Sequence, residues 1–425
     1  MRAQQGARSD ARRSTRIGER PARKPGAHLR VVPAATRTAR ERSHAARRDL
    51  ALLWSSAAFL TALGLIMVLS AGSVSAAQGY DGNPFWYFQR QAVYAAVGIA
   101  IAVACSRIPS GAWRAASVPL LLVTAVLMFV AAHPGSGTAL YGASRWIDLG
   151  PITLQPSEFA KLGLVTFTAT ILAAKWGHLH EIRHLLLPLG PVVVVIAGLG
   201  IAQRDLGTTL ILCGSVFLLF FVAGVRLRYL MLTGAIGVAV ALSLIVGEAY
   251  RRTRFFDSWL RPWEDPRSTG YQHIQGLIAI GSGGWFGTGL GTSRAKWDFL
   301  PNAHSDFIFA VIGEELGLIG AIVVLGAFGV LIFAGVRIAI HATAIFERLL
   351  AAGVIGWIGL QTIINLGAVT GLLPITGVPL PLVSFGGTAL LVTLAGVGVL
   401  AGVARSSLRT GVRPARGTRA SASRA

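Results

Sequence analysis

Several ionisable side chains in this sequence stand inside or at the ends of long apolar runs, where a charge is costly and usually serves a function. The most suggestive group is Asn302-Ala303-His304-Ser305-Asp306, followed by Glu314 and Glu315. An aspartate here could cap a helix, but a histidine and three carboxylates exceed what a cap requires. A carboxylate at a boundary between water and membrane is well placed as a general base. We therefore predict that Asp306 is catalytic and that His304 contacts the substrate.

A second group opens another apolar run, with the sequence Gln155-Pro156-Ser157-Glu158-Phe159-Ala160-Lys161. Pro156 suits the first turn of a helix. Glu158 and Lys161 are three residues apart, so they share one helical face and can neutralise each other. The pair either fixes helix packing alone or contacts a ligand, and these residues leave both readings open.

Two cationic motifs stand at the ends of other runs. Arg145 lies in Gly-Ala-Ser-Arg-Trp-Ile, just before the run that contains Glu158. Arg204 and Asp205 occupy a very short connection, where Asp205 is explained adequately as the cap of the next helix.

Prolines interrupt the apolar segment 373–388, which contains Pro374, Pro379 and Pro381. Because proline removes backbone donors, such a segment must pack inside protein or line a cavity. We expect it to form a cavity wall, and Ser384 is its candidate substrate contact.

The elements that must position these groups are membrane-spanning helices. The chain has 425 residues, of which 53% are hydrophobic and only 13% charged, and its mean hydropathy is +0.61. No soluble fold of this size could bury so much apolar surface. Runs long enough to cross about 30 Å of hydrocarbon fall near 50–70, 88–106, 115–132, 157–174, 185–202, 206–224, 229–247, 305–336, 348–371 and 382–404.

The predicted fold is therefore an all-α polytopic membrane protein of about ten transmembrane helices. Its domains are a disordered basic tail at 1–49, a membrane domain at 50–404 and a second basic tail at 405–425. The tails hold 16 of the 21 net positive charges, so the basic composition gives little support to nucleic-acid binding. The two cysteines, Cys105 and Cys213, indicate neither a disulfide framework nor a metal site.

Basic residues predict the orientation, because Lys and Arg accumulate in cytoplasmic loops. With both termini inside, each short inner loop carries two basic residues, whereas the outer loop 71–87 carries none. The segment 248–304 then becomes a large extracellular loop between helices 7 and 8. Its alternating arginines and tryptophans suit an interfacial aromatic belt or anionic and sugar ligands, with the belt favoured.

These motifs, in this order, resemble the SEDS family of shape, elongation, division and sporulation proteins over about residues 50–404. The resemblance rests on Gly-Ala-Ser-Arg-Trp-Ile, Gln-Pro-Ser-Glu-Phe-Ala-Lys, Asp-Leu-Gly-Thr-Thr, the run from Asn302 to Gly317, and Leu-Leu-Pro-Ile-Thr-Gly-Val-Pro-Leu-Pro-Leu-Val-Ser-Phe-Gly-Gly. The serine before Arg145 favours the cell-division members over the elongation members, which often have glutamine there.

The resemblance implies a peptidoglycan glycosyltransferase that polymerises lipid II into β-1,4 glycan strands at the outer face of the plasma membrane. It also implies a class B penicillin-binding protein as partner, other division proteins, and a septal location. The essential aspartate of the family falls on Asp306, and Arg145, Glu158 and Lys161 match further positions. A divalent cation, Mg or Mn, could assist, although the sequence shows no metal-ligand cluster. Open alternatives are a lipid II flippase or ion-coupled transporter, an elongation-type polymerase, and a scaffold for division proteins.

Overall fold

The computed structural model describes residues 39–133, 138–140, 143–148, 150 and 153–412. This part of the chain contains twelve α-helices. They are α1 Ala39–Gly79, α2 Trp86–Cys105, α3 Ser110–Ala132, α4 Pro156–Ala174, α5 Ile182–Ala202, α6 Leu206–Ala223, α7 Leu227–Gly247, α8 Ala249–Arg252, α9 Tyr271–Ser282, α10 Ile308–His341, α11 Ile345–Val369 and α12 Gly387–Val412.

Within the described ranges, ten of these helices are long and apolar enough to cross a membrane, which confirms the predicted number. The two exceptions are α8 and α9. The most enclosed spans are α4, α11 and α12, whereas α7 is almost entirely exposed on the outside of the bundle. Polar side chains on the enclosed spans can therefore line a protected site.

The first and last helices extend beyond the predicted membrane domain. Helix α1 begins at Ala39, so residues 39–49 are helical and the prediction that they belong to a disordered tail is wrong. Alanine, arginine and glutamate there are strong helix formers, and neither glycine nor proline interrupts them. Helix α12 likewise continues past 404 to Val412, shortly before Pro414. The remaining tail residues, 1–38 and 413–425, lie outside the described residues.

A small antiparallel sheet, which the all-α prediction did not include, lies between α3 and α4. Its strands are β1 Thr138–Leu140, β2 Ala143–Asp148 and β3 Thr153–Leu154, in the order β1-β2-β3. Such short strands lack the length and alternation that a sequence pattern needs to reveal them. The sheet matters because β2 carries Arg145.

Helix α10 is two helices joined at Gly317, whose backbone angles are φ 67° and ψ −168°. Only glycine adopts this conformation readily, so the glycine allows the break. The predicted loop between the seventh and eighth spans is also partly helical, since it contains α8, α9 and the helical turns Thr253–Leu260 and Ala295–Phe299.

Candidate active site

Asp306 lies in a tight turn that leads into α10. The backbone amides of Ser305 and Phe307 both donate to the carbonyl of Asn302, at 3.1 and 3.3 Å. The Phe307 side chain is fully buried and packs against Gly276 of α9, where an added Cβ would lie 2.7 Å from its ring. The turn is therefore fixed by its own hydrogen bonds and by α9.

Asn365 of α11 ties this turn to the proline-broken segment. Its amide nitrogen donates to the carbonyl of Asp306 at 2.9 Å and to the carbonyl of Val378 at 2.8 Å. The side chain is buried, so these bonds are shielded from water. Asn365 thus holds the backbone of Asp306 and leaves its carboxylate untouched.

Ser384 makes a second link between the same two segments. Its hydroxyl donates to the carbonyl of Ser305 at 2.6 Å and accepts from the amide of Leu380 at 2.8 Å. The amide of Phe385 donates to the carbonyl of His304 at 3.0 Å. The predicted substrate contact by Ser384 stays a prediction, and the observed bonds give this buried hydroxyl a positioning role.

His304 packs among aromatic rings. Its imidazole stacks on Tyr87 with ring centroids 4.2 Å apart, and Phe385 meets it edge-on at 5.7 Å. Burial lowers the pKa of His304 to about 4. The imidazole is therefore neutral at physiological pH and adds no charge to the site.

The carboxylate of Asp306 faces Gly377. A side chain on Gly377 would begin 3.5 Å from Asp306 Oδ2, and the positive φ of 73° also favours glycine. The Asp306 side chain is partly accessible, yet protein surrounds it, and this burial raises its pKa to about 6. The nearby cations Arg254 and Arg145 oppose that shift, whereas Asp205 adds to it.

An open cleft is lined in part by Thr376, the residue before Gly377. Its walls combine apolar side chains of α6 and α7 with an unusual concentration of arginine. The charged residues that line it are Arg145, Arg204, Arg251, Arg254 and Glu248. Four guanidinium groups against one carboxylate make this cleft suited to an anionic ligand.

Arg145 enters the cleft from β2. It donates to the carbonyl of Arg204 at 2.5 Å and approaches Asp205 at 3.9 Å. Its Nε is buried and has no hydrogen-bond partner among the described residues. Asp205 also accepts from the amide of Thr208 and so caps α6, as predicted.

The predicted pair of Glu158 and Lys161 forms with an N–O distance of 2.6 Å, and each side chain is only 1% exposed. Lys161 also donates to the side-chain oxygen of Gln361 at 2.8 Å, and Gln361 donates to the carbonyl of Pro379 at 2.9 Å. Neither member of the pair lines the cleft. Their predicted contact with substrate stays a prediction, and the observed contacts connect the pair, through Gln361, to the backbone of the proline-broken segment.

The sequence motifs did not identify three buried amide side chains that contact these segments, namely Asn365, Gln361 and Gln91. Gln91 donates to the carbonyl of Ser384 at 3.0 Å and accepts from the amide of Gly386 at 3.2 Å. The sequence prediction rests on ionisable groups within apolar runs, whereas these three side chains are neutral amides. Burying an amide without a hydrogen-bond partner is also costly. Gln361 and Asn365 lie four residues apart on one span, and this spacing could have identified them from the sequence.

Glu314 and Glu315 lie in a separate network. Glu314 accepts from the Ser293 hydroxyl at 2.5 Å and from the amide of Arg294 at 2.8 Å. Glu315 accepts from the hydroxyl of Ser70 on α1 at 2.6 Å. Both carboxylates are thus satisfied by hydrogen bonds and do not join the cleft.

Residues 50–409 match the model of the FtsW, RodA and SpoVE family, which is described as "Cell cycle protein". A probable peptidoglycan glycosyltransferase FtsW of Geobacter metallireducens is 41% identical over 357 residues, which are 84% of this chain and 94% of the relative. Stage V sporulation protein E of Bacillus subtilis is 39% identical over 359 residues, covering 84% and 97% of the two chains.

Solved structures share the fold. One, from work on the structural coordination of polymerization and crosslinking by a peptidoglycan synthase complex, has a TM-score of 0.68 and 30% identity, covering 84% of this chain and 97% of its own. The rod shape determining protein RodA of Thermus thermophilus has a TM-score of 0.62 and 28% identity, covering 83% and 96%. With ten candidate spans in its described residues and with these relatives, the chain belongs to the FtsW, RodA and SpoVE family and is a multi-pass membrane peptidoglycan glycosyltransferase.

Proposed function

We propose that this chain polymerises lipid II into β-1,4 glycan strands and that Asp306 is the general base. The observation that carries the proposal is the placement of the Asp306 carboxylate. Asn365 binds its backbone, its carboxylate receives no hydrogen bond from any described residue, and it faces Gly377, whose neighbour Thr376 lines an arginine-rich cleft. An aspartate held in this way is free to accept a proton from a substrate.

An α-linked sugar pyrophosphate that yields a β-linked glycan is inverted at its anomeric carbon, so one base suffices and no enzyme nucleophile is needed. Asp306 takes the proton from the sugar 4-hydroxyl as the oxygen attacks, and the lipid pyrophosphate leaves with the bonding electrons. A pKa of about 6 leaves Asp306 ionised at neutral pH. It is also a stronger base than an ordinary aspartate, because basicity rises with pKa.

The departing pyrophosphate needs cations, and Arg145 and Arg254 are the best supported. Both line the cleft and both lower the pKa of Asp306, so both lie within electrostatic reach of the reacting atoms. Lys161 is less well placed, because it is buried against Glu158 and Gln361. Charge-assisted hydrogen bonds from two guanidinium groups would stabilise the negative charge that develops on the leaving group.

A divalent cation could share that task, because Mg²⁺ is usually held by one or two carboxylates together with substrate phosphates. In the described part of the chain no three His, Cys, Asp or Glu side chains come together as ligands.

A cell-division role with a class B penicillin-binding protein is the form of this activity that we propose. Identities of 40–41% to proteins named FtsW support it, against 28% to the RodA of Thermus. The similar peptidoglycan synthase complex, which joins polymerization to crosslinking, supports a crosslinking partner. We place both termini in the cytoplasm and the protein at the septum, and imaging of a tagged chain at septum or side wall distinguishes the division role from elongation.

The test is polymerisation of labelled lipid II by the purified chain with its partner. We expect Asp306→Asn to abolish strand synthesis, whereas Asp298→Asn retains it. Asp298 is a matched control because it is an exposed aspartate in the segment that leads to the same turn. Glycan strand synthesis by Asp306→Asn at the wild-type level would contradict the proposal. Translocation of lipid II across vesicles without polymer formation would instead establish the flippase alternative.

A further inference from the structure

The chain between Tyr271 and Ser293 contains no Lys, Arg, Asp or Glu. It comprises α9 and the following turn of residues 283–293, which we call the α9 turn. Charged residues resume directly after it, at Arg294 and Lys296. Such an uncharged stretch is unusual in a segment otherwise rich in arginine and acid, and it is compatible with contact with lipid.

Contacts show that α9 runs alongside the first part of α10 in the same direction. Gly276 meets Phe307, Ile280 meets Gly313, and the α9 turn reaches the backbone of Glu315 at Gly287. Each step along α9 therefore lies further from Asp306 and closer to the spanning part of α10. The α9 turn is the end of the element that approaches the membrane.

The α9 turn supplies hydrogen-bond acceptors to the amides that the break in α10 leaves without helical partners. After Gly317, the amides of Leu318 and Ile319 donate to the carbonyls of Gly284 and Trp285, at 2.9 and 3.2 Å. A broken helix would otherwise expose these donors, which is costly at the level of lipid. The α9 turn therefore has a fixed height relative to α10.

Glu314 and Glu315 bind the end of the α9 turn and the two residues that follow it. The Glu314 carboxylate accepts the amides of Arg294 and Ala295, and Glu315 accepts the amide of Ser293 at 3.3 Å. Both glutamates, which the proposed reaction does not use, thus serve to fasten this turn.

Helix lengths give the height of the α9 turn in the membrane. Asp49 on α1 and Arg337 on α10 pair at 2.7 Å, and charges of this kind mark the edge of the hydrocarbon. From Asp49 to Ser70 and from Arg337 to the break at Gly317, the helical rise gives about 32 and about 30 Å. The hydrocarbon is about 30 Å thick. Ser70, Glu315 and the α9 turn therefore lie at its opposite edge.

Surface exposure agrees with this height. Residues 308–315 of α10 are all buried, whereas an exposed apolar face begins at Leu318 and continues to Ile340. The α9 turn continues this face with Trp285, Phe286 and Leu290, which are 67%, 82% and 59% exposed. An exposed apolar surface that is continuous with a lipid-facing helix is expected to contact lipid as well.

We propose that the α9 turn is an interfacial membrane anchor, with Trp285, Phe286 and Leu290 inserted among the lipids of the leaflet on the Asp306 side. Tryptophan prefers this level of a bilayer. Since the α9 turn is bonded to α10 and α9 packs on Phe307, the anchor also sets the height of Asp306 above the hydrocarbon.

The test uses a nitroxide attached at position 286 in the full chain. The variant Phe286→Cys is made in a chain whose Cys105 and Cys213 are replaced by alanine, and it is reconstituted in phosphatidylethanolamine and phosphatidylglycerol vesicles. Collisions with oxygen and with a water-soluble nickel chelate are measured. Glu264→Cys is the matched control, because Glu264 is similarly exposed, at 69%, in the same segment but carries a charge.

We expect an oxygen-to-nickel collision ratio at position 286 that exceeds the ratio at position 264 several-fold. Leu290→Cys should give the same result and replaces Phe286→Cys if that variant does not fold. Equal ratios at positions 286 and 264 would place the turn in water and overturn the proposal. Low collision rates with both reagents would show that another copy of the protein covers the turn, which would overturn it as well.

Discussion

Two groups of carboxylates lie within ten residues of each other, at the two ends of the first part of α10. Glu314 and Glu315 are buried, and backbone amides and serine hydroxyls satisfy their oxygens. Asp306 is held only through its backbone, by Asn365, and its carboxylate has no hydrogen-bond donor within the described residues. Its nearest electrostatic influences are arginines of the cleft.

The difference in hydrogen bonding distinguishes carboxylates that stabilise the fold from the carboxylate that we propose reacts. A carboxylate whose lone pairs are all engaged stabilises the fold and has none left for a substrate proton. A carboxylate that the protein desolvates without binding is destabilising by itself, and enzymes tolerate that cost where the group reacts.

The largest expected effect is a loss of activity at Asp306 without a loss of stability, in contrast to a loss of stability at Glu314. We expect Asp306→Asn to lower polymerisation by about 10²–10⁴-fold, the range for loss of a general base, while its thermal unfolding midpoint does not fall. Glu314→Ala should instead lower the midpoint, because each buried amide left without an acceptor costs about 1–3 kcal/mol. Polymerisation assays and thermal scans on both variants, with Glu264→Ala as the exposed control, measure the contrast. Equal stability losses in both would refute it.

The cleft arginines should have the next largest effect. Arg254→Ala is expected to lower kcat/KM for lipid II by about 10–100-fold, because a charge-assisted hydrogen bond contributes about 1.5–3 kcal/mol. Arg261→Ala is the control, since Arg261 lies in the same segment but pairs with Glu264 on the exposed surface. If both arginines had the same effect, general charge attraction rather than the cleft would bind the pyrophosphate.

The pH dependence follows from the raised pKa of Asp306. Below about pH 6 the base is protonated, so kcat/KM should fall about tenfold for each pH unit. Arg254→Ala should move this midpoint upward, because the lost cation had lowered the pKa. A pH profile that stays flat down to pH 5 would contradict Asp306 as the base.

The same raised pKa has an opposite consequence for stability. The folded pKa lies above the ordinary value of 3.8, so the folded state binds the proton more tightly and loses stability as the pH rises from about 4 to about 6. Asp306→Asn removes this penalty. Its unfolding midpoint should exceed that of the wild type at pH 7.5, and the gap should narrow at pH 4.5.

The smallest effect concerns positioning. Asn365→Ala should lower kcat about five- to tenfold with little change in KM, since one hydrogen bond of about 1 kcal/mol holds the Asp306 backbone. Its pH midpoint should also shift, because the carboxylate moves relative to the arginines. Ile363→Ala, an exposed position on the same helix, serves as the control. An unchanged kcat and midpoint would remove Asn365 from the site.

The sequence by itself determined the ten spans, because length and hydrophobicity suffice for a helix in lipid, where every backbone group must be satisfied internally. It also determined the suspect residues, since a charge in an apolar run is visible without a structure. The pairing of Glu158 with Lys161 and the capping by Asp205 followed from helical spacing.

Only the tertiary structure decided which of these charges share a site. Residues 59 and 79 positions apart meet at the Asp306 turn, where Asn365 binds Asp306 and Ser384 binds Ser305 from other segments. The break at Gly317 depends on carbonyls of the α9 turn, and the fastening role of Glu314 depends on Ser293. Hydropathy and spacing describe one helix at a time, whereas a carboxylate becomes structural or reactive according to the donors that other segments bring to it.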